Sequence, residues 1–328
     1  MEITELNWLE KTDNFALYRN SPSICIQAGD VPSAPIVSIA IPTFQRADTL
    51  REAIQSAINQ EGMNAPVEIL VVDNNPLRND QTEHLMTEFP QVVYYKNTEN
   101  LGMSGNWNRL FELARGKWVL MLHDDDILSR YYLAKVERWL LEDISFLKVR
   151  QKIFSGAVPL DSFTSDGKAY RLSLMDLYLG VCFPPSGVLF NRDLVMEMGG
   201  FRDDFYPTSD LAFYYAALMN KNAIALDQNL FYYRVEQNAS SKKETKDKFI
   251  INTYSITTHI SRMLGVPPFV NALYQITRSR RFLDGIHSTF GPDYQPPFIV
   301  SGNMITRPLS EIVRGLLLLI RKIKRRRV

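Results

Sequence analysis

The stretch that most limits what this chain can become is Trp118-Val-Leu-Met-Leu122, which runs straight into His123-Asp-Asp-Asp126. Five consecutive apolar residues read as a strand buried on both faces, the pattern of a parallel sheet. Carboxylates at the carboxyl end of such a strand fall where open α/β sheets collect their ligands. Three adjacent acids, Asp124, Asp125 and Asp126, repel one another unless positive charge sits among them, and hard divalent cations such as Mg²⁺ and Mn²⁺ take oxygen ligands. Alone, the tripeptide reads as a solvated acidic loop; its company makes it a metal site.

That company begins at Ile36-Val-Ser-Ile-Ala-Ile41, a short apolar strand stopped by Pro42. Thr49 and Glu52 have capping-box spacing, and Leu50, Ala53, Ile54, Ala57 and Ile58 follow the apolar template of the helix behind them. Val67-Glu-Ile-Leu-Val-Val72 is a second strand, ending in Asp73-Asn-Asn-Pro76. A helix is expected over 81–89, a strand over 92–95, and a helix over 106–114 with Trp107, Leu110, Phe111 and Ala114 on one face. Gly116 is expected to end that helix as a left-handed cap. Strand alternating with helix from 36 to about 141 implies an α/β fold with a doubly wound, mostly parallel sheet flanked by helices. Beyond it come strand candidates at 144–154 and 187–190 and a helix at 210–219. A helical stretch over 242–290 is followed by the Pro-rich 291–297. The expected division is an N-terminal extension (1–34), a main domain (35–240), a helical C-terminal region (241–310) and a basic tail (311–328).

Composition is that of an ordinary globular protein, with 45% hydrophobic and 22% charged residues. Cys25 and Cys182 have no metal-type spacing and suggest no disulfide framework, which fits a reducing cytoplasm. Residues 1–10 lack the basic start and apolar stretch of a secretory signal, and the longest apolar candidate, at 315–320, is far short of a membrane span. The tail, 311–328, carries +6 of an overall +1, leaving −5 on the rest. A near-neutral or acidic body argues against a nucleic-acid partner.

Taken together, Ile39-Ala-Ile-Pro-Thr-Phe-Gln-Arg46, Val71-Val-Asp-Asn-Asn75, Asn100-Leu-Gly102, Gly116-Lys-Trp-Val119 and His123-Asp-Asp-Asp-Ile127 resemble family 2 glycosyltransferases of the GT-A fold, in order and spacing as well as type. The resemblance covers roughly 36–240. It implies a GT-A domain, Rossmann-like, and an inverting enzyme that moves a sugar from a nucleotide-sugar donor to an acceptor hydroxyl with Mn²⁺ or Mg²⁺ as cofactor. It places the nucleotide-sugar against Pro42, Thr43, Phe44 and Arg46, against Asn100 and Gly102, and against Asp124. Asp125 is expected to hold the metal directly, with Asp126 beside it. The first acid of the usual Asp-x-Asp pattern is His123 here, read equally as a ligand or as a neutral imidazole bonded to backbone. Asp73 matches the acid that takes a hydrogen bond from the donor's base; an imide N–H suits it, which favours uridine or thymidine, unless its side chain simply caps the local turn.

The segment Gly199-Gly-Phe-Arg-Asp-Asp-Phe-Tyr-Pro-Thr-Ser-Asp210 resembles the family's Gly-Gly-Phe loop and the acid opening the next helix. Asp210 is thereby the catalytic base, with Asp203 and Asp204 as substitutes; an Asp there also suits a helix N-terminus in any protein. Ser209 stands where many relatives carry an acid. Arg234, in Tyr233-Arg-Val-Glu-Gln-Asn-Ala-Ser240, is read evenly as a diphosphate ligand or a structural ion pair, with Glu236 or Gln237 where the family often has a histidine. No Gln-x-x-Arg-Trp follows Asp210, so one sugar is added per event.

In the tail, Ile312, Val313, Leu316, Leu317, Leu319, Ile320 and Ile323 form a broad apolar helical face beside Arg314, Arg321 and Lys322. Such a helix suits the inner leaflet of a cytoplasmic membrane, and with it a lipid-linked saccharide acceptor of bacterial surface-polysaccharide assembly; docking on protein is the competing reading. A sugar-phosphate nucleotidyltransferase would need a Gly-rich basic loop, and 41–46 has no glycine. A non-catalytic glycan-binding subunit fits poorly with acids at 73, 124–126 and 210.

Overall fold

The central strands gather into one mixed sheet because they are too apolar to face water on either side. The computed structural model describes residues 12–159, 167–180, 183–235, 242–290 and 305–324. Strands β1 (Ser23–Gln27), β2 (Val37–Thr43), β3 (Val67–Asp73), β4 (Val93–Asn97) and β5 (Trp118–Met121) form one half. Their order is β1-β4-β3-β2-β5, with β4, β3, β2 and β5 parallel and β1 antiparallel at the edge. The chain runs outward from β2 to β4 and then returns to the other side of β2, so the sheet's switch point lies between β2 and β5.

Alternate residues of these strands feed two apolar layers. Ala40, Leu70, Val72, Val119 and Met121 face one layer; Ile39, Ile41, Val71 and Leu120 face the other. Helix α1 (Ala47–Ile58) covers the second layer with Leu50, Ala53, Ile54 and Ala57, and α2 (Gln81–Met86) adds Leu85 and Met86. Helix α3 (Gly102–Leu113) covers the first with Trp107, Leu110 and Phe111.

The other half holds β6 (Ile127–Leu128), β7 (Phe146–Phe154), β8 (Ala169–Leu172), β9 (Val188–Asn191) and β10 (Ala223–Arg234). Strand β9 joins β5 and β7 antiparallel, and β10 runs parallel to β7. Strands β6 and β8 both pair antiparallel with β10. Between and after them come α4 (Tyr132–Val136), α5 (Leu174–Tyr178), α6 (Arg192–Glu197), α7 (Ser209–Asn220), α8 (Lys243–Met263), α9 (Pro268–Phe290) and α10 (Thr306–Lys324). Helix α10 is tied down on one side by Thr277 to Ser310 (2.7 Å), Arg280 to Glu311 and Arg321 to Asp176 (2.7 Å). Its other side exposes Leu309, Ile312, Leu316, Leu319 and Ile323, spaced alternately by three and four residues, so they form one stripe. No helix among the described residues is long and apolar enough to cross a membrane.

Several expectations need correction. The N-terminal segment, in its described part, is no detached extension. Its β1 completes the sheet edge, Asn14 donates to the Gly199 carbonyl (2.9 Å), and Arg109 donates to the carbonyls of Tyr18 (3.0 Å) and Ser21 (2.9 Å). A half-exposed edge strand leaves little periodic signal. No capping box forms at Thr49 and Glu52: α1 starts at Ala47, and the Glu52 carboxylate pairs with Arg234 instead. Gly116 is not a left-handed cap, since α3 ends at Leu113; a Cβ there would lie 2.6 Å from Ser38 N, so glycine is required by the close approach to β2. The third helix also starts at Gly102 rather than 106, and the second ends at Met86 rather than 89. Cys182, residues 236–241 and the Pro-rich 291–297 lie outside the described residues.

Candidate active site

Parallel strands β2 and β5 end side by side, and their carboxyl-end turns meet over the switch point. Thr43 Oγ1 donates to Asp124 Oδ2 (2.7 Å), and Phe44 N–H approaches the same oxygen (3.4 Å). The Arg46 guanidinium pairs with Asp125 and stands 3.6 Å from Asp124 Oδ1. A cleft of about 580 Å³ opens here, within the range of small-molecule sites. Pro42, Thr43, Phe44, Arg46, Asn100, Gly102, Asp124 and Asp125 all line it, so eight of the expected residues share one cavity. Met103, Trp107, Asp203, Tyr206 and Tyr233 line it as well.

At the cleft, ligand atoms of the lining residues His123 and Asp125 and of the buried Asp126 lie within 4.8 Å of one another. Asp126 is fully buried; its Oδ1 accepts the Arg234 N–H (2.9 Å), while Oδ2 finds no hydrogen-bond partner among the described residues. An orphaned buried carboxylate oxygen is costly unless something fills its place. Burial, then the charge of Asp125, pushes its carboxyl up to about 8; Ser186 and the Arg234 N–H work the other way. Asp124 is pushed up to about 6 by burial, against the Thr43 hydrogen bond. Burial lowers the His123 imidazole below its usual value, so it is neutral at pH 7. Oxygen-rich, with one imidazole and an unfilled buried acceptor, this set fits a divalent cation.

Four expected residues do not line the cleft: Asp126, described above, and Arg234, Asp73 and Asp210. Arg234 serves the acid turn from behind: Nε donates to the Asp125 carbonyl (2.8 Å), Nη1 to the Gly156 carbonyl (3.2 Å), Nη2 pairs with Glu52, and the guanidinium lies over the Phe154 ring. Antiparallel pairing of β6 with β10 brings it there. Its guanidinium thus takes part in structural hydrogen bonds and an ion pair. Asp73 is 0% exposed. Its Oδ1 accepts the Asn75 N–H (2.8 Å), and its Oδ2 accepts Lys96 Nζ (2.7 Å) and Tyr94 OH (2.9 Å). Lys96, 2% exposed, also bonds Asp80 (2.9 Å). With three of a carboxylate's roughly four acceptor positions filled and no surface open, Asp73 offers a base nothing in this arrangement. Burial still raises its carboxyl, against Lys96.

Asp210 sits in the first turn of α7, partly buried, with Oδ1 accepting the Leu211 N–H (2.7 Å). Burial pushes its carboxyl up to about 7. Its neighbour Ser209 contacts Ser104 of α3 (3.0 Å), one residue from the cleft-lining Met103.

Residues 38–199 match the family model described as Glycosyl transferase family 2. The chain belongs to that family. Among curated relatives, it is 26% identical over 220 residues to an uncharacterised Mycobacterium tuberculosis protein, covering 59% of this chain and 65% of the relative. It is 32% identical over 111 residues to abequosyltransferase RfbV of Salmonella typhimurium, covering 32% of each. The chain thus spans less than two thirds of the length of these curated relatives. The mannosyltransferase PcManGT of Pyrobaculum calidifontis, solved with GDP-Man and Mn²⁺, superposes with a TM-score of 0.53 at 17% identity over 95% of this chain and 85% of that one. S. aureus TarS with UDP-GlcNAc gives 0.53 at 16% over 85% and 87%. These likenesses establish the fold, which is GT-A-like.

For this family 2 member, sequence reasoning missed Asn74, Met103, Asn106, Trp107, Tyr206 and Tyr233 as cleft residues. Asn74 was in sight inside Val71-Val-Asp-Asn-Asn75. Trp107 was read as core, and it is both: 7% exposed, yet stacked on His123 at the cleft (5.7 Å, 18°).

Proposed function

We propose that the protein is an inverting glycosyltransferase that moves one sugar from a nucleotide-sugar to a hydroxyl of a saccharide acceptor. The observation carrying this reading is the switch-point cleft over a cation-type group whose Asp126 oxygen is buried and unfilled. Asp125 and Asp126 would hold Mn²⁺ or Mg²⁺, which when bound supplies positive charge against a leaving nucleoside diphosphate. Arg46, in the cleft wall, adds a second positive group for the phosphates. Thr43 and Phe44 fix Asp124 at the nucleotide side, with Asn100 and Gly102 lining the same cavity.

A single displacement needs one group to take the acceptor's proton, and a base titrating near 7 is matched to that task. Asp210 is the base in this reading; its partial burial tunes it. Uridine or thymidine diphosphate sugars are the donors to test first. Asp73 can take an imide N–H only if the network around Lys96 opens.

The acceptor in this reading is lipid-linked, as in bacterial O-antigen or capsule synthesis, and the enzyme works in the cytoplasm on the inner face of the membrane. The exposed apolar stripe of α10, with Arg307, Lys322 and Lys324 exposed beside it, supports that attachment. Flotation with anionic vesicles should carry the full chain and not a form lacking 311–328; equal flotation of both removes the tail as anchor.

The decisive test of the donor site is a thermal-shift series with UDP, dTDP, GDP, CDP and ADP, each with and without Mn²⁺, because a ligand of the native state raises its stability. A cation-dependent shift with UDP or dTDP is expected. No shift with any of them overturns the donor-site reading in favour of a non-catalytic, glycan-binding role.

A further inference from the structure

We propose that His123 is itself a ligand of the cation and that it makes this centre select transition cations such as Mn²⁺ over Mg²⁺. The inference rests on the donor-site reading above and deepens it. His123 Nδ1 lies 3.9 Å from Asp126 Oδ2. Two ligands of one cation at about 2.1 Å stand about 3 to 4.2 Å apart, so this pair is within reach of one ion. The Asp126 oxygen is wholly buried, makes no hydrogen bond among the described residues and faces the imidazole.

The imidazole is positioned for this from two sides. His123 N–H donates to Ser186 Oγ (2.9 Å), which fixes the backbone, and the ring stacks on Trp107, which limits its rotation. Nε2 is buried without a hydrogen-bond partner among the described residues, so the Trp107 face, rather than a second hydrogen bond, sets the ring's orientation. Asp124, the remaining acid, is turned away to Thr43 and Phe44. The set is therefore one imidazole nitrogen and two carboxylates. Mg²⁺ demands near-ideal octahedral oxygen coordination, whereas first-row transition cations accept imidazole, so replacing an acid by histidine shifts preference toward Mn²⁺.

The test uses the full-length protein with Mn²⁺ alone and with UDP, monitored by electron paramagnetic resonance, and Mg²⁺ as competitor. The wild type should show nitrogen coupling on bound Mn²⁺ and prefer Mn²⁺ by about tenfold or more, the scale on which single contacts tune metal sites. H123A should lose the coupling and weaken Mn²⁺ while hardly changing Mg²⁺; H123D should keep a cation site and bring the two affinities together. Melting curves check that both variants are folded, and H123D covers the case in which H123A is not. Unchanged coupling or an unchanged Mn²⁺/Mg²⁺ ratio in the folded variants overturns the role of His123 and leaves the donor site standing. A wild type that binds neither cation, with or without UDP, overturns both.

Discussion

Thr43 and Asp124 join the two strands on either side of the switch point: the Thr43 hydroxyl donates to Asp124 Oδ2 at 2.7 Å, and both side chains are buried. The bond ties the end of β2 to the turn after β5 and holds one of three clustered acids away from the other two. Thr43→Val keeps the shape and removes the donor. It should cost about 1–3 kcal/mol in denaturant unfolding, because a buried carboxylate is left with one fewer partner. Nucleotide affinity should fall with it; unchanged stability would mean that water or Arg46 replaces the hydroxyl.

Asp210 predicts the pH profile of transfer. Only the ionised carboxylate accepts a proton, and burial raises its titration to about 7, so kcat should climb as pH rises through about 7 and level off above it. Asp210→Asn should lower kcat by about 10²–10⁴ and abolish that climb, with nucleotide shifts intact. A variant with full kcat would return the role to Asp203, which, unlike Asp210, lines the cleft.

Lys96 is buried between Asp73 and Asp80, and Lys96→Met would strand the Asp73 carboxylate in the core. Breaking such a pair from one side costs about 3–5 kcal/mol. Without Lys96 the Asp73 carboxyl rises further above its ordinary value, so the deficit should shrink as pH falls and the carboxyl takes up a proton. Adding Asp73→Asn should recover part of the loss at pH 7. If Asp73→Asn alone also leaves UDP binding unchanged, the base is read elsewhere in the cleft.

Arg234 supports the acid turn through its side chain, whereas the bond to Asp126 comes from its backbone N–H. Arg234→Lys keeps the charge and loses the fork that reaches the Asp125 carbonyl, the Gly156 carbonyl and Glu52 together. Mn²⁺ binding should weaken while the Asp126 bond persists. Cation binding equal to that of the wild type would show that the turn holds without this clamp.

Read from one end, the chain shows much of its frame. Short apolar runs ending in Pro42, Asp73 and His123, with helical apolar spacing between them, mark out the parallel half of the sheet, since strand and helix periodicities are local properties. The edge strand β1 is less legible, being half-exposed and without a full alternation, while β9 is expected at 187–190 but its antiparallel direction is set only by its partners β5 and β7. Gly116 illustrates a subtler limit: glycine is visible in the sequence, but the backbone of β2 pressing on it is not.

By itself the sequence determined the α/β alternation, the family and which acids gather at strand ends, because these follow from the order of residues along short segments. Only the tertiary structure decided what each acid does. Thr43 meets Asp124 across 81 positions, Arg234 reaches back 109 to Asp125, Lys96 engages Asp73, and the apolar side of α10 that faces outward was settled by which side found Asp176 and Thr277. Hydrogen-bond partners and burial belong to distant parts of the chain brought together by packing, and no local pattern of residue types records them.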